Sequence, residues 1–307
     1  ADFSLRLRWP RLTQPMRDLL RLMGPALVSH GAMQINLLVG TILASFLATG
    51  AITYLYFSDR IVQLPLGVVG VAVATALLPK LSRALRLDDQ AGATDFQNRA
   101  LEIALLLTLP ATAGIMVLAT PIVTVVFERG AFSAADTLET AKALVAYAWG
   151  LPAFVLVKVL STPFFAREDT KTPFKITLLT VAANIALAAA LMFPLGHVGL
   201  AWATTISGWL NVVLLALALR SREEFVLDSR MRRVFPRLCI AVGAMSAVLW
   251  FSSTPLQAML IQLLGGSALS EIVHLALLIG CGGLVFAVVA MGSGAARPRD
   301  VKAMLRR

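Results

Sequence analysis

The chain contains 307 residues, of which 58% are hydrophobic and only 14% are charged, and its formal net charge is +10. Soluble domains carry nearer a quarter of charged residues, so lipid must contact much of the surface of this protein. The composition therefore excludes a soluble catalyst and indicates an integral membrane protein.

Eight apolar stretches have the length of about 20 residues that a helix needs to cross a bilayer. In chain order, the predicted spans are 25–49, 51–79, 100–127, 140–165, 174–195, 197–219, 234–254 and 268–292. The second and third exceed the required length, so they must tilt, kink or extend past the lipid. The sequence thus predicts an all-α integral membrane protein with about eight transmembrane helices.

The basic residues are concentrated in every second connection between these spans. Of the 27 Lys and Arg residues, only Arg60, Arg129, Lys142 and Lys158 lie outside the segment before the first span, the second, fourth and sixth connections, and the tail. The positive-inside rule produces this alternation across consecutive spans. It predicts that both ends of this chain are cytoplasmic, and it explains the net charge without a nucleic-acid partner.

The second span carries ionisable side chains at a depth where they are costly in lipid. Asp59 and Arg60 lie about nine residues into the span, which is ~13 Å along a helix. Residues at three- and four-residue spacing form one polar and small face: Thr53, Tyr56, Arg60, Gln63, Gly67, Gly70 and Ala74. We interpret this face as the wall of a water-filled cavity. The alternative is that Asp59 and Arg60 form a pair, or bond to other helices, and only stabilise packing.

Two further features of the spans bear on function. Pro65 removes a backbone hydrogen bond and would clash with the carbonyl of Ile61, so Pro65 and Gly67 form a predicted hinge. Lys158 either extends to the cytoplasmic surface or lines the same cavity, and it is a candidate for substrate binding.

The first span carries a polar face formed by His30, Gln34, Thr41 and Ser45. Hydrogen bonds between helices are the favoured interpretation of this face, and an ion or substrate role is the alternative.

Catalytic and metal-binding patterns are not found in the sequence. The three His residues are scattered, there is no GxSxG, Walker A or HExxH motif, and Cys239 and Cys281 have no metal or redox spacing. We therefore predict a protein that is not an enzyme and that has neither a cofactor nor a resident metal.

Three segments carry specific motifs and not only an apolar composition, and they resemble the MurJ/MviN family of lipid II flippases. That family is part of the multidrug/oligosaccharidyl-lipid/polysaccharide exporter superfamily. The three segments are residues 34–82, which include SDRIVQLPLGVVGVA, residues 155–176, which include FAREDTKTP, and ERGAFSAADT at 128–137. The resemblance implies that the eight spans correspond to helices seven to fourteen of a fourteen-helix transporter. The first lobe of that transporter is expected to be missing from this sequence.

The resemblance also implies a domain organisation for the chain. Residues 1–24 would be a basic cytoplasmic connection, 25–220 the second six-helix lobe of the transporter, 221–292 two additional helices, and 293–307 a basic tail. The protein would lie in the bacterial inner membrane. Its partners would be a lipid-linked glycan, membrane lipids, the missing lobe, and proteins of cell-wall synthesis or division.

The implied function is flipping of the undecaprenyl-diphosphate-linked peptidoglycan precursor by alternating access, with Arg60 holding the diphosphate. A guanidinium suits phosphate oxygens because it presents a planar fork of donors. The alternatives are an exporter of another lipid-linked polysaccharide, a multidrug/cation antiporter and, least favoured, a membrane scaffold. A cation antiporter would be expected to place acidic side chains in its cavity, whereas Arg60 and Lys158 are basic.

Some family members bind Na⁺ in this lobe. By resemblance, Asn184 and Thr204 match two of the ligands, but the two carboxylate positions are Gly40 and Ala188 here. A hard cation is weakly held without a formal anion, so the Na⁺ site is expected to be degraded. The coupling ion is left open, and the membrane potential alone could drive transport.

Overall fold

The computed structural model describes residues 14, 16, 31, 34–87, 89–222, 228–265 and 267–295. Every regular element in these ranges is a helix, which confirms the predicted all-α class. The helices are α1 (Gln34–Ser45), α2 (Ala51–Arg86), α3 (Gln90–Val117), α4 (Ala119–Phe127), α5 (Ala134–Ala148), α6 (Leu151–Ala166), α7 (Lys171–Leu195), α8 (His197–Arg220), α9 (Ser229–Leu264) and α10 (Ala268–Gly292).

Six stretches of the described chain are long and apolar enough to cross a membrane. They are α3, α5 together with α6, α7, α8, α9 and α10. Neither α1 nor α2 is among them, and residues 25–30 of the predicted first span lie outside the described residues. The membrane-protein class is thus confirmed, while the total of eight spans stays a prediction.

Two predicted spans are each divided into two helices. The span 100–127 is interrupted at Leu118, between α3 and α4, and the span 140–165 is interrupted at Trp149 and Gly150, between α5 and α6. Pro121 and Pro152 lie in the first turn after each break. Each proline lacks the backbone N–H that would donate to a carbonyl of the preceding helix, so the continuous series of helical hydrogen bonds is interrupted there.

Capping side chains and one glycine set several helix boundaries. Asp89 accepts a hydrogen bond from the Gly92 amide (2.8 Å) at the start of α3, and Ser133 and Asp136 form a capping box on α5. Gly50 begins α2 with φ 97°, and a Cβ at this position would approach the Tyr54 hydroxyl to 2.5 Å. Only glycine fits both the left-handed backbone and this contact.

Small residues and buried hydroxyls join the helices. Ala143, Ala146 and Ala201 are fully buried where α5 meets α8, which permits the close helix approach common in membranes. The Thr205 hydroxyl donates to the Ala146 carbonyl (2.7 Å), so it also joins α8 to α5. Such bonds satisfy polar groups that lipid cannot solvate.

The connections fall into two sets that meet at opposite ends of the bundle. At the basic end, Arg99 of α3 pairs with Asp228, which caps α9, and Arg222 after α8 pairs with Asp169 between α6 and α7 (2.7 Å). These contacts join the second, fourth and sixth connections, as the charge alternation predicts.

At the other end, α2, α5 and α8 meet near their first residues. The Tyr54 hydroxyl donates to the Asp136 carboxylate (2.6 Å), and the centroids of the Tyr54 and His197 rings are 5.3 Å apart. The starts of these three helices follow the first, third and fifth connections. These three connections therefore share one side of the bundle.

Candidate functional site

Four of the predicted site residues form one connected group on α2. The Arg60 Nη1 donates to Oε1 of Gln63 (3.2 Å), and Gln63 Nε2 donates in turn to the Asp59 carboxylate. The guanidinium carbon of Arg60 lies 4.8 Å from the centroid of the Tyr56 ring. Gln63 thus connects the acid to the base, and the aromatic ring supports the guanidinium plane.

This group is open to its surroundings. Arg60 and Gln63 are exposed, and Tyr56 is 52% exposed, while Ile61 and Val62 on the opposite side of α2 are buried in the core. A guanidinium carries five N–H donors, and the bond to Gln63 uses one of them. The polar face of α2 can therefore offer several donors to a ligand.

Lys158 of α6 lies against the same face of α2. A Cβ built on Gly70 would come within 2.8 Å of the Lys158 Nζ and 3.0 Å of its Cδ. Gly70 is about midway along α2 and ten residues beyond Arg60, which is ~15 Å along a helix. The structure thus brings a second cation to the predicted polar and small face, and the lack of a side chain at Gly70 makes room for it.

Between these cations the face is open. Gly67 is exposed, and a Cβ built on it would meet no atom within 4 Å. The helix continues through Pro65, which lies two residues before Gly67. The hinge predicted at Pro65 and Gly67 stays a prediction, but an opening beside Gly67 between Arg60 and Lys158 is present.

The residues matched to an ion site form a hydrogen-bonded contact between α7 and α8. The Asn184 Nδ2 donates to Ser207 Oγ (2.9 Å) and Thr204 Oγ1 (3.4 Å). Asn184 and Thr204 therefore lie together, while their role as remnants of an ion site stays a prediction. Ser207 is not among the predicted residues, although its position three residues after Thr204 places it on the same face of α8.

The positions of the two absent carboxylates are occupied differently. Ala188 is buried in an apolar cluster that includes Ala44 of α1, one turn beyond Gly40. A Cβ on Gly40 would meet nothing within 4 Å. Within the described part of the chain, no group of three or more His, Cys, Asp or Glu residues is placed to hold a metal ion.

The polar face predicted on the first span needs a correction. The Thr41 hydroxyl donates to the Leu37 carbonyl (2.9 Å), and the Ser45 hydroxyl donates to the Ile42 carbonyl (2.7 Å), so both bond within α1. The interpretation of these two residues as hydrogen-bonding between helices is wrong, because a hydroxyl can satisfy itself on the preceding turn. Gln34 is exposed, and His30 lies outside the described residues.

Comparison with known proteins identifies the family. The family model described as lipid II flippase MurJ matches residues 1–265. A relative from Rhizobium meliloti (strain 1021), named probable lipid II flippase MurJ, is 42% identical over 299 residues, which cover 94% of this chain and 56% of the relative. The chain thus spans little more than half the length of this curated relative.

Solved structures agree with this assignment. A structure titled "Lipid II flippase MurJ, inward closed conformation" is 28% identical, with a TM-score of 0.68 over 89% of this chain and 54% of that one. An outward-facing multidrug resistance transporter of the MATE family is 15% identical, with a TM-score of 0.59 over 89% of this chain and 64% of the other, and shows a shared fold alone. From its sequence and its fold, the chain belongs to the MurJ family of lipid II flippases.

Proposed function

We propose that this chain forms one side of a transporter that flips lipid II, and that the polar face of α2 contacts the diphosphate of the substrate. The observation that carries the proposal is the exposed group of Arg60, Gln63, Asp59 and Tyr56, whose arginine lies more than two turns into α2, a helix packed into an apolar bundle. An exposed guanidinium at this depth is costly unless it faces water or a ligand. The rest of the length found in the relatives would supply the facing side.

The chemistry of this face suits a lipid-linked diphosphate. Arg60 provides a planar fork of charged donors, and Tyr56 and Gln63 restrict its orientation, so less side-chain entropy is lost when a phosphate binds. Lys158 supplies a second positive charge ~15 Å along α2. The open space beside Gly67 lies between the two cations and leaves room for an extended substrate.

The same face favours an anionic substrate over a cationic drug. Its acid, Asp59, already accepts a hydrogen bond from Gln63, whereas Arg60 and Lys158 are positively charged and exposed. A cationic drug would be repelled by these two groups. This distribution of charge supports a flippase and not a cation antiporter.

The membrane potential is a sufficient source of energy in this proposal. Moving one elementary charge through 100 mV changes the free energy by about 2.3 kcal/mol. The cytoplasm is the negative side, so outward movement of an anionic diphosphate is downhill. A coupling ion is not needed, in line with the neutral residues at Gly40 and Ala188.

The proposal is tested by measuring flipping directly. The full-length protein would be reconstituted in vesicles with three substrates in parallel: lipid II, an undecaprenyl-diphosphate carrying an unrelated polysaccharide unit, and a cationic dye. We expect potential-dependent movement of lipid II and none of the dye. Transport of the dye, or of the polysaccharide carrier in preference to lipid II, would contradict the assignment.

We further propose an inner-membrane topology in which the basic end of the bundle is cytoplasmic. The predicted result is that residues 83–99, 221–232 and 296–307 face the cytoplasm, while residue 50 and residues 255–267 face the periplasm. The physical reason is the retention of Lys and Arg on the cytoplasmic side. Reporter fusions at these positions measure it, and a reporter active outside the cell at Arg86 or Arg230 would contradict it.

A further inference from the structure

The span formed by α5 and α6 is broken near its middle, at Trp149 and Gly150. The Gly150 amide donates to the Tyr147 carbonyl, three residues back (2.9 Å), and not to the Ala146 carbonyl, which a regular α-helix would use. A backbone carbonyl released inside a membrane span needs another donor, because lipid offers none. The geometry of the break therefore depends on what the neighbouring helix supplies.

Two side chains of α8 donate to the carbonyls at this break. The Thr205 hydroxyl donates to the Ala146 carbonyl (2.7 Å), and the Trp209 indole Nε1 donates to the Trp149 carbonyl (3.0 Å). Thr205 and Trp209 are four residues apart, so they lie one turn apart on one face of α8. Thr205 is buried, at 2% exposure. The two bonds join α8 to the end of α5, and we call this pair of side chains the α8 brace.

A phenyl ring holds the start of α6 against the same stretch of α8. The Phe154 ring lies between two glycines, because a Cβ built on either Gly150 or Gly208 would come within 2.7 Å of it. The Cβ on Gly150 would also approach Thr205 Oγ1 to 2.8 Å. Only glycine allows a ring and a backbone to approach this closely. The rotation of α6 about its own axis is therefore set by its contacts with α8 and with the end of α5.

The direction of α6 decides where Lys158 lies. Lys158 follows Phe154 by four residues, so both side chains leave the same face of α6, ~6 Å apart along the axis. One turn beyond the ring, the Lys158 side chain reaches Gly70 of α2. Lys158 is eight residues beyond Gly150, or ~12 Å of helix, so a tilt of about 10° at the break would move its backbone by ~2 Å. A shift of this size would take the amine away from the polar face of α2.

We propose that Thr205 and Trp209 are positioning residues for Lys158, because they hold the break between α5 and α6 at one angle and so keep the amine on the polar face of α2. The inference rests on the proposed function, in which Lys158 supplies the second positive charge for the substrate. The α8 brace acts through backbone carbonyls of α5 and not through contact with the substrate.

The angle of the break can be measured without transport. Spin labels are attached to cysteines placed at Leu138 of α5 and Phe165 of α6, which are both exposed, in full-length protein in which all other cysteines are replaced. Pulsed electron paramagnetic resonance then gives the distance between the labels. Thr205→Val and Trp209→Phe each remove one donor and should broaden or shift the distance distribution. Thr205→Ser keeps the hydroxyl and should leave the distribution unchanged.

The matched control is a buried threonine whose hydroxyl bonds within its own helix. Thr108 is 0% exposed and donates to the Ala104 carbonyl of α3 at 2.7 Å, the same length as the bond from Thr205. Thr108→Val removes an equally buried hydroxyl without touching the break. It should leave the distance between the labels as it is in the protein without this change.

Flipping of lipid II in vesicles, normalised to folded protein, connects the break to Lys158. Thr205→Val and Trp209→Phe should each lower flipping by about fivefold or more, and Thr205→Ser should restore it. Once Lys158→Met is present, neither change should cause much further loss, because both act through the same amine.

Two results would overturn the proposal: a distance distribution that neither Thr205→Val nor Trp209→Phe alters, or a full additional loss of flipping in the Lys158→Met background. Failure of the proposed function is recognised separately. It would appear as normal flipping by Lys158→Met, while the distance distribution, which does not depend on transport, would still respond to Thr205→Val and support the α8 brace.

Discussion

Replacing Arg60 with Ala in the full-length protein is expected to abolish flipping of lipid II, and replacing it with Lys to leave partial activity at best. A diphosphate that leaves water needs positive charge to offset its lost hydration. Arg60 supplies that charge together with a two-pronged donor geometry. A lysine keeps the positive charge but places it on a single ammonium group. It therefore loses the two-pronged donor geometry and the planar contact with Tyr56. Flipping in reconstituted vesicles, normalised to folded protein, measures the effect.

The control must separate transport from folding. Arg129→Ala is matched in chemistry, because Arg129 is also an exposed arginine, yet its guanidinium bonds to the Val125 and Val126 carbonyls of α4 and not to the Arg60 group. It should leave transport intact. If Arg60 serves only packing, Arg60→Ala and Asp59→Ala would lower the unfolding temperature together. An Arg60→Ala protein that folds and flips normally would refute the diphosphate assignment.

Replacing Gly70 with Ala is expected to reduce flipping by about tenfold or more, because a Cβ there would displace the Lys158 side chain from α2. Lys158→Met keeps the length of the side chain, loses its charge, and should reduce flipping by a similar factor. If both changes act through the same amine, the double variant should be no worse than Lys158→Met. Non-additivity of this kind identifies a shared interaction.

The matched control for Gly70 lies on another helix, outside the polar face of α2. Gly243→Ala in α9 adds a methyl group where nothing lies within 4 Å, so it changes helix propensity without a collision. It should keep most of the transport activity. Additive losses in the Gly70→Ala and Lys158→Met double variant would show that Lys158 does not act where it contacts α2.

The polar face of α2 could be predicted from sequence because it depends only on helical periodicity. Tyr56, Arg60 and Gln63 are three and four residues apart, so any helix brings them together. The contact of Lys158 with Gly70 could not be predicted in this way. It depends on how α6 packs against α2, and in the sequence these residues are 88 positions apart.

Other differences between the sequence-based predictions and the structure also have physical causes. The breaks at Leu118 and Gly150 could not be predicted from Pro121 and Pro152 alone, because α2 continues through Pro65 and the apolar pattern continues through both breaks. The bonds of Thr41 within α1 could not be distinguished by spacing from bonds between helices.

The most direct test of the central claim, that the substrate's diphosphate contacts the polar face of α2, is substrate protection of a cysteine at position 63. Cys239 and Cys281 of this chain are exposed. They, and any cysteine in the rest of the full-length protein, would first be replaced with Ser. We predict that a membrane-impermeant thiol reagent labels Gln63→Cys in the full-length protein, and that lipid II slows this labelling while a neutral lipid of equal chain length does not. Absence of labelling, or labelling at the same rate with and without lipid II, would contradict the account.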